Sequence, residues 1–358
     1  MDLTLAPEQE MLVGSARAFL ARACPLAHVR AMEADARGFG SELWREMARL
    51  GWPGMALPTA YGGGGLGFLD AALLLEEMGR VLLPSPYVAT AVLAAPLVLA
   101  AGSEEERRRW LPRLAAGDAI ATLALVEPGW RDEWGEVTTA ARAGRVSGTK
   151  RFVPFAAAAD LLLVAVRGGL VAVERGAAGV ECTRQATLDG GHLYKVRFAD
   201  APAAALPAPA GVALERVRLH AAVATLAFAT GAAARVLDMT VAHAKTRVQF
   251  GRPIGSFQAV AHRCADMRSD LDALRYLVYQ AAWALSTGRA AELEASAAKA
   301  YGNEALRRLF MHAHQVHGAI GFSTEHDLQL FTRRAKAAEL AWGSAALHRE
   351  RVARAMGL

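Results

Sequence analysis

Cysteine is scarce in this sequence. Cys24, Cys182 and Cys264 are odd in number and far apart, and no CxxC pair occurs. That excludes a disulfide framework and leads to the expectation of a reducing, cytoplasmic setting. Long runs of one charge are missing too. The net charge of +5 comes from arginines scattered along the chain, without the basic stripe that nucleic-acid binding needs. No uninterrupted membrane span is expected either. The apolar stretch 81–101 is broken by Pro84, Pro86 and Pro96, while 221–237 is rich in alanine, contains Arg235 and is short for a span. Glu8 and Glu10 near the start do not suit a signal peptide, so none is expected.

What is present points to a large globular chain. At 358 residues it exceeds what one hydrophobic core usually serves, so two or three domains are expected, and 53% apolar residues supply ample core. Residues 1–117 read as helical. Pro7 suits a first helical turn ahead of Met11, Leu12, Ala16, Phe19 and Leu20 at helical spacing, and further helices are predicted at 41–50, 69–79, 87–101 and 104–114. The run Tyr61-Gly62-Gly63-Gly64-Gly65-Leu66-Gly67 has no strand before it and no Lys-Ser or Lys-Thr after it, so it reads as a connecting turn, not a phosphate loop. Residues 118–209 read as a compact β domain, with strands predicted at 120–126, 145–153, 161–166, 169–174 and 193–198 and a linker at 200–211. Residues 210–358 return to long helices at 214–246, 257–287, 290–318 and 327–356, enough for an up-down four-helix bundle.

The most informative stretch is Arg247-Val248-Gln249-Phe250-Gly251-Arg252-Pro253-Ile254-Gly255-Ser256-Phe257-Gln258. A guanidinium fork, an amide and a flat aromatic ring within four residues suit a phosphate-bearing cofactor; a basic helix end with a turn is the bland alternative. His312, His314 and His317 crowd one helix but lack zinc spacings, so helix-surface or interface packing is expected for them.

Other motifs stand around this stretch in a fixed order. They are Leu50-Gly51-Trp52-Pro53-Gly54, Leu75-Glu76-Glu77-Met78-Gly79-Arg80, Val126-Glu127-Pro128, Gly148-Thr149-Lys150-Arg151-Phe152-Val153 and Gln315-Val316-His317-Gly318-Ala319-Ile320-Gly321. Together they make nearly the whole chain resemble the acyl-CoA dehydrogenase family. The resemblance implies an α+β multidomain fold: an N-terminal helical domain, a middle β-barrel-like domain and a C-terminal four-helix bundle. It implies FAD held between the last two, with a neighbouring subunit completing the site, and an acyl-CoA substrate oxidised to the trans-2-enoyl thioester. An electron-transferring flavoprotein is the implied acceptor. The implied assembly is a homodimer or homotetramer, or a heterotetramer with a homologous chain. By the same likeness Arg247, Gln249, Phe250, Ile254, Phe257 and Gln258 meet the adenosine pyrophosphate, Gln315, Gly318 and Ala319 reach across the subunit interface, and Val126, Phe152 and Ser344 join the cofactor set.

The chain also departs from the family pattern. Where most members keep a catalytic glutamate before Gly-Thr, this chain has Trp342-Gly343-Ser344, and an indole cannot accept a proton. Glu215, in Leu214-Glu215-Arg216, matches an alternative base position, and substrate is expected to raise its pKa by desolvation. Glu339 is the reserve candidate. Pro154 replaces a hydroxyl residue and lacks a backbone N–H, and Val126 replaces a threonine. After Pro128 come Trp130, Arg131 and Trp134 in place of the usual Gly-Ser-Asp. These losses leave a second reading open, a non-catalytic or half-site partner subunit. Alanine abundance over 221–234 hints at room for a bulky acyl group.

Overall fold

The computed structural model describes residues 4–129 and 136–358. The chain opens with helices α1 (Pro7–Ala23), α2 (Leu26–Ala34), α3 (Ser41–Arg49), α4 (Phe68–Arg80), α5 (Ala95–Ala101, preceded by a π-helical turn Val88–Ala94) and α6 (Glu104–Ala115). Eight strands follow: β1 (Ala121–Ala124), β2 (Ala140–Arg142), β3 (Arg145–Pro154), β4 (Leu161–Val166), β5 (Gly169–Glu174), β6 (Val180–Gln185), β7 (Leu193–Pro202) and β8 (Ala204–Leu206). The remainder is α7 (Ala210–Thr246), a hairpin of β9 (Val248–Gln249) and β10 (Arg252–Pro253), α8 (Gln258–Ser286), α9 (Glu292–His317), α10 (Leu328–Leu340) and α11 (Ala345–Ala355). This is the expected order of helices, strands and helices. By contact the chain forms two compact units, one from Met1–Val29, Phe68–Leu83 and Ala222–Leu358, the other from Arg30–Gly67 and Pro84–Ala221.

The first unit is helical. α7 is long and apolar enough to cross a membrane by composition, but 89% of its most apolar window is buried in protein. A helix apolar on all sides is a core helix. Its small residues serve contact with α4. A β carbon on Gly231 would overlap the Glu76 carbonyl, and one on Gly79 would overlap the Phe228 carbonyl. The alanines at 221, 222, 224, 227, 229 and 232–234 are buried in the same helix. α8 is tied to the same place. The buried Glu76 carboxylate accepts from Arg275 Nε at 2.9 Å and Nη2 at 2.8 Å, and from the Tyr279 hydroxyl at 2.8 Å. Arg17 of α1 binds Glu77 at 2.7 Å and 2.9 Å. α9 packs against α8, α10 and α11.

One expected helix is two. The run predicted at 327–356 breaks between α10 and α11, where Trp342 (φ 60°) and Gly343 (φ 106°) take left-handed backbone conformations. Ser344 then caps α11 by accepting the Leu347 N–H at 3.3 Å.

The second unit holds two four-stranded sheets, in the orders β1-β4-β5-β8 and β2-β3-β7-β6. β1 and β4 are parallel and the other pairs antiparallel. Bonds link the sheets: Thr122 Oγ1 donates to Pro154 O at 2.6 Å, and the Arg151 N–H of β3 donates to Val126 O, just after β1, at 2.8 Å. β4 is buried along its whole length, which its sequence Leu-Leu-Leu-Val-Ala-Val announces. β6 is a half-exposed edge strand with few apolar residues and was not predicted. The linker expected at 200–211 is instead the end of β7, strand β8 and the start of α7.

Gly231→Ala is expected to destabilise the protein by about 3 kcal/mol, because neither helix backbone can withdraw from the added carbon. Urea unfolding should show a lower midpoint at unchanged slope.

Candidate functional site

The informative stretch begins where α7 ends. The Arg247 N–H still bonds to His243 O at 2.9 Å, and the chain then turns through the hairpin and a short 3-10 turn, Ile254–Ser256, into α8. Ile254 N–H closes the hairpin by donating to Arg247 O at 2.8 Å. Phe250 is 92% exposed and sits at φ 54°, so it carries both an exposed ring and a left-handed backbone. Such strain persists only where the surroundings or a function require it. Phe257 meets Phe250 edge-on at 6.1 Å, and the Arg252 guanidinium covers its other side at 4.2 Å.

The end of α9 lies beside this hairpin. His317 stacks on His243 at 4.6 Å, which brings Gln315, Gly318 and Ala319 to the same end of the first unit as Arg247. Gly318 is left-handed at φ 66° and has open space where a β carbon would be. Arg247, Gln249, Gln258 and Gln315 are all exposed. Among the described residues none of these four side chains has a hydrogen-bond or ion-pair partner. A guanidinium and three amides with spare donors are the chemistry that a diphosphate requires.

In the second unit Val126 and Phe152 are neighbours, because Val126 O accepts the Arg151 N–H at 2.8 Å. Between them lies a feature the sequence did not announce. The carboxylate of Glu127 and the ammonium of Lys150 form a buried ion pair at 2.6 Å. Glu127 also accepts the backbone N–H of Thr138 at 2.8 Å, the N–H and hydroxyl of Thr139 at 2.9 Å and 2.6 Å, and the Thr138 hydroxyl. Burial alone pushes the Glu127 carboxyl up, but Lys150 and the threonine donors outweigh it and hold the group well below the usual glutamate range. Gly148 is required here, since a β carbon would press on Thr139 Oγ1 at 2.6 Å.

Phe152 follows at φ 54°, on an irregularity between β3 and β7. Its N–H donates to Gln185 Oε1 at 2.9 Å, and the Arg151 guanidinium lies over its half-exposed ring at 4.7 Å. Pro154 is an ordinary strand residue opposite Leu193. Trp130, Arg131 and Trp134 lie outside the described residues.

Glu215 stands in the first turns of α7. Its carboxylate is gripped by Arg218, whose Nε is 3.0 Å from both oxygens and whose Nη2 also donates. The Arg218 side chain is 7% exposed and that of Glu215 53%. Glu339 is engaged by Arg307 and by Lys336 at 2.9 Å, which with their charge outweigh its burial and hold it below the usual range.

The Trp342 turn is held from beneath by buried polar groups. Lys299 Nζ donates to Ala338 O at 2.8 Å, Asn303 Nδ2 to Gly343 O at 3.2 Å, and His348 Nε2 to Trp342 O at 2.8 Å. Ser344, just beyond this turn, caps α11.

Comparison with known proteins settles the family. The family model described as acyl-CoA dehydrogenase, C-terminal domain, matches residues 211–357, and that for the N-terminal domain matches 6–118. The chain belongs to the acyl-CoA dehydrogenase family. Acyl-CoA dehydrogenase FadE27 of Mycobacterium tuberculosis is 32% identical, over 99% of this chain and 98% of that protein. Acyl-CoA dehydrogenase IpdE2 of the same organism is 32% identical over 93% and 92%. In structure, the ChsE4-ChsE5 complex from Mycobacterium tuberculosis aligns with TM-score 0.91 and 30% identity, over 100% of this chain and 99% of the other. The chain is thus an oxidoreductase of the class acting on CH–CH bonds, in a family that depends on FAD. The spare donors of Arg247, Gln249, Gln258 and Gln315 fit the diphosphate of that cofactor.

Glu127→Gln is expected to cost about 3–5 kcal/mol, because it leaves the Lys150 ammonium buried without a counter-charge. Thermal unfolding at neutral pH checks this. The wild-type advantage should vanish in acid, since a carboxylate with a depressed pKa contributes stability that is lost as pH falls.

Proposed function

We propose that this chain is a cytoplasmic acyl-CoA dehydrogenase that holds FAD through Arg247, Gln249, Phe250, Ile254, Phe257, Gln258, Gln315, Gly318 and Ala319, with Val126 and Phe152 near the flavin and Glu215 as base. The observation that carries this reading is the set of unpaired donors at the joined ends of α7 and α9. When bound, FAD accepts the hydride that leaves the β carbon of the thioester. Glu215 receives the α proton on a carboxylate oxygen, and the electron pair of the broken α C–H bond becomes the new double bond. Arg218, three residues on, holds that carboxylate in place by hydrogen bonds to both oxygens. Trp342 offers a wall and takes no proton. An electron-transferring flavoprotein is the acceptor we propose.

The working form we propose is an oligomer, because an exposed, strained Phe250 gains from being covered. One observation favours a homologous chain as the neighbour. The ChsE4-ChsE5 complex and the Tcur3481-Tcur3483 steroid ACAD variant, the latter 32% identical with TM-score 0.90, are each named for two chains. Native mass spectrometry distinguishes a second copy from a different chain.

The test is the visible spectrum of the purified protein, without oxygen, before and after straight, branched and steroid-side-chain acyl-CoA thioesters. Bleaching of the flavin by at least one thioester is expected. Glu215→Gln should keep the flavin and slow bleaching at least about 100-fold. A Gln variant that bleaches at the wild-type rate removes Glu215 from the mechanism. Bound flavin that no thioester bleaches, even with a homologous chain present, overturns the activity.

A further inference from the structure

The histidines crowded on α9 form no metal site, since no group of three or more metal-ligating side chains occurs among the described residues. They form a stack. His243 of α7 lies over His317 of α9 at 4.6 Å, and His326, just before α10, meets His317 edge-on at 5.1 Å. His314 of α9 stacks on Phe322 at 4.5 Å.

Hydrogen bonds assign three of these rings their neutral tautomers. His317 Nδ1 faces the Ala313 carbonyl at 2.8 Å, so that nitrogen carries the proton. His326 Nδ1 accepts the Leu328 N–H at 3.1 Å, so that nitrogen is bare. The Thr332 hydroxyl donates to Leu328 O at 3.0 Å and accepts from His314 Nε2 at 2.8 Å. His314 Nδ1 is then bare as well, buried beside Gly321 without a partner among the described residues.

A second proton is badly placed on His243, His314 and His317. On His314 it makes a buried donor with no acceptor. On His317 it charges a buried ring, and protons on both His243 and His317 would set two like charges 4.6 Å apart. The charges around the stack do not relieve this. Arg247 stands at the end of α7, and His312 is held by Arg263 of α8 at 3.0 Å. The acids nearby in sequence are Glu325, bonded to Ser323 at 2.8 Å, and Asp327. Burial first, and then neighbouring histidines, with Arg247 acting on His243, hold His243, His314 and His317 below the ordinary histidine range.

We propose that this stack is an acid-released latch. Neutral, it pins the C-terminal ends of α7 and α9 and the start of α10 together. Protonated, it lets them part, and segments 247–258 and 315–319 lose their hold on the adenosine diphosphate half of FAD. Only this last consequence rests on the cofactor reading above. The sign follows from linkage: the folded state prefers the neutral rings, so their contribution is present above the ordinary histidine pKa of about 6.5 and is lost as pH falls below it.

The test compares wild type with the double variant His243→Phe/His326→Asn. Phenylalanine keeps the stack, the asparagine oxygen can accept the Leu328 N–H, and neither titrates. Melting of the flavin-free protein is followed from pH 8 to pH 5, and flavin retention on gel filtration is measured at both ends. The wild-type melting temperature should fall by several degrees more than that of the variant, and the variant should keep several-fold more flavin in acid. Parallel melting curves would overturn the latch. Should the variant not fold, the ring resonances of the wild type decide: titration at or above pH 6.5 without loss of structure also overturns it. If no flavin binds at any pH, the cofactor reading fails while the flavin-free melting still judges the latch.

Discussion

The first unit stands on the approach of α4 to α7, where the Glu76 and Phe228 carbonyls occupy space that any β carbon would claim. Close contact at Gly79 and Gly231 fixes the rotation and height of α7, and so the place where it ends. Glu76 then draws α8 in through Arg275 and Tyr279. The hairpin between α7 and α8 is therefore carried by two anchored helices. Its exposed groups are presented from a rigid base, as a binding site requires.

The second unit is organised around an ion pair. Removing charges from water is costly, and Glu127 and Lys150 stay charged only because the threonine donors complete the carboxylate's hydrogen bonds. The pair lies between Val126 and Phe152, the two residues that the family likeness sets near the flavin. It ties the segment just after β1 to β3 of the other sheet, so that function there borrows its precision from a structural lock.

How much of this could be read from the sequence depended on the range of the interaction. Long periodic helices and the apolar strand β4 were legible, because local pattern decides them. The edge strand β6 was not, since half of its residues face water. The break at Trp342 was missed for another reason. A tryptophan in a left-handed conformation has no local signature, and the Lys299, Asn303 and His348 bonds that hold the turn come from α9 and α11. At the site, motif order placed Arg247, Gln249, Gln258 and Gln315, but not their assembly at one end of the unit, which depends on the His243–His317 contact. Glu215 was found while its partner was not. Arg216, next to it in sequence, points elsewhere on a helix, and Arg218, three residues on, shares its face.

The central claim is that the joined ends of α7 and α9 form a diphosphate site. Calorimetric titration of the flavin-free protein with ADP tests it most directly, at low and at moderate salt, for wild type and for Arg247→Gln. The account predicts that wild type binds ADP more weakly as salt rises, and that the variant loses about ten-fold or more in affinity, as expected for one charge-assisted bond. Equal affinity in the two proteins, or no binding to wild type at all, would contradict it.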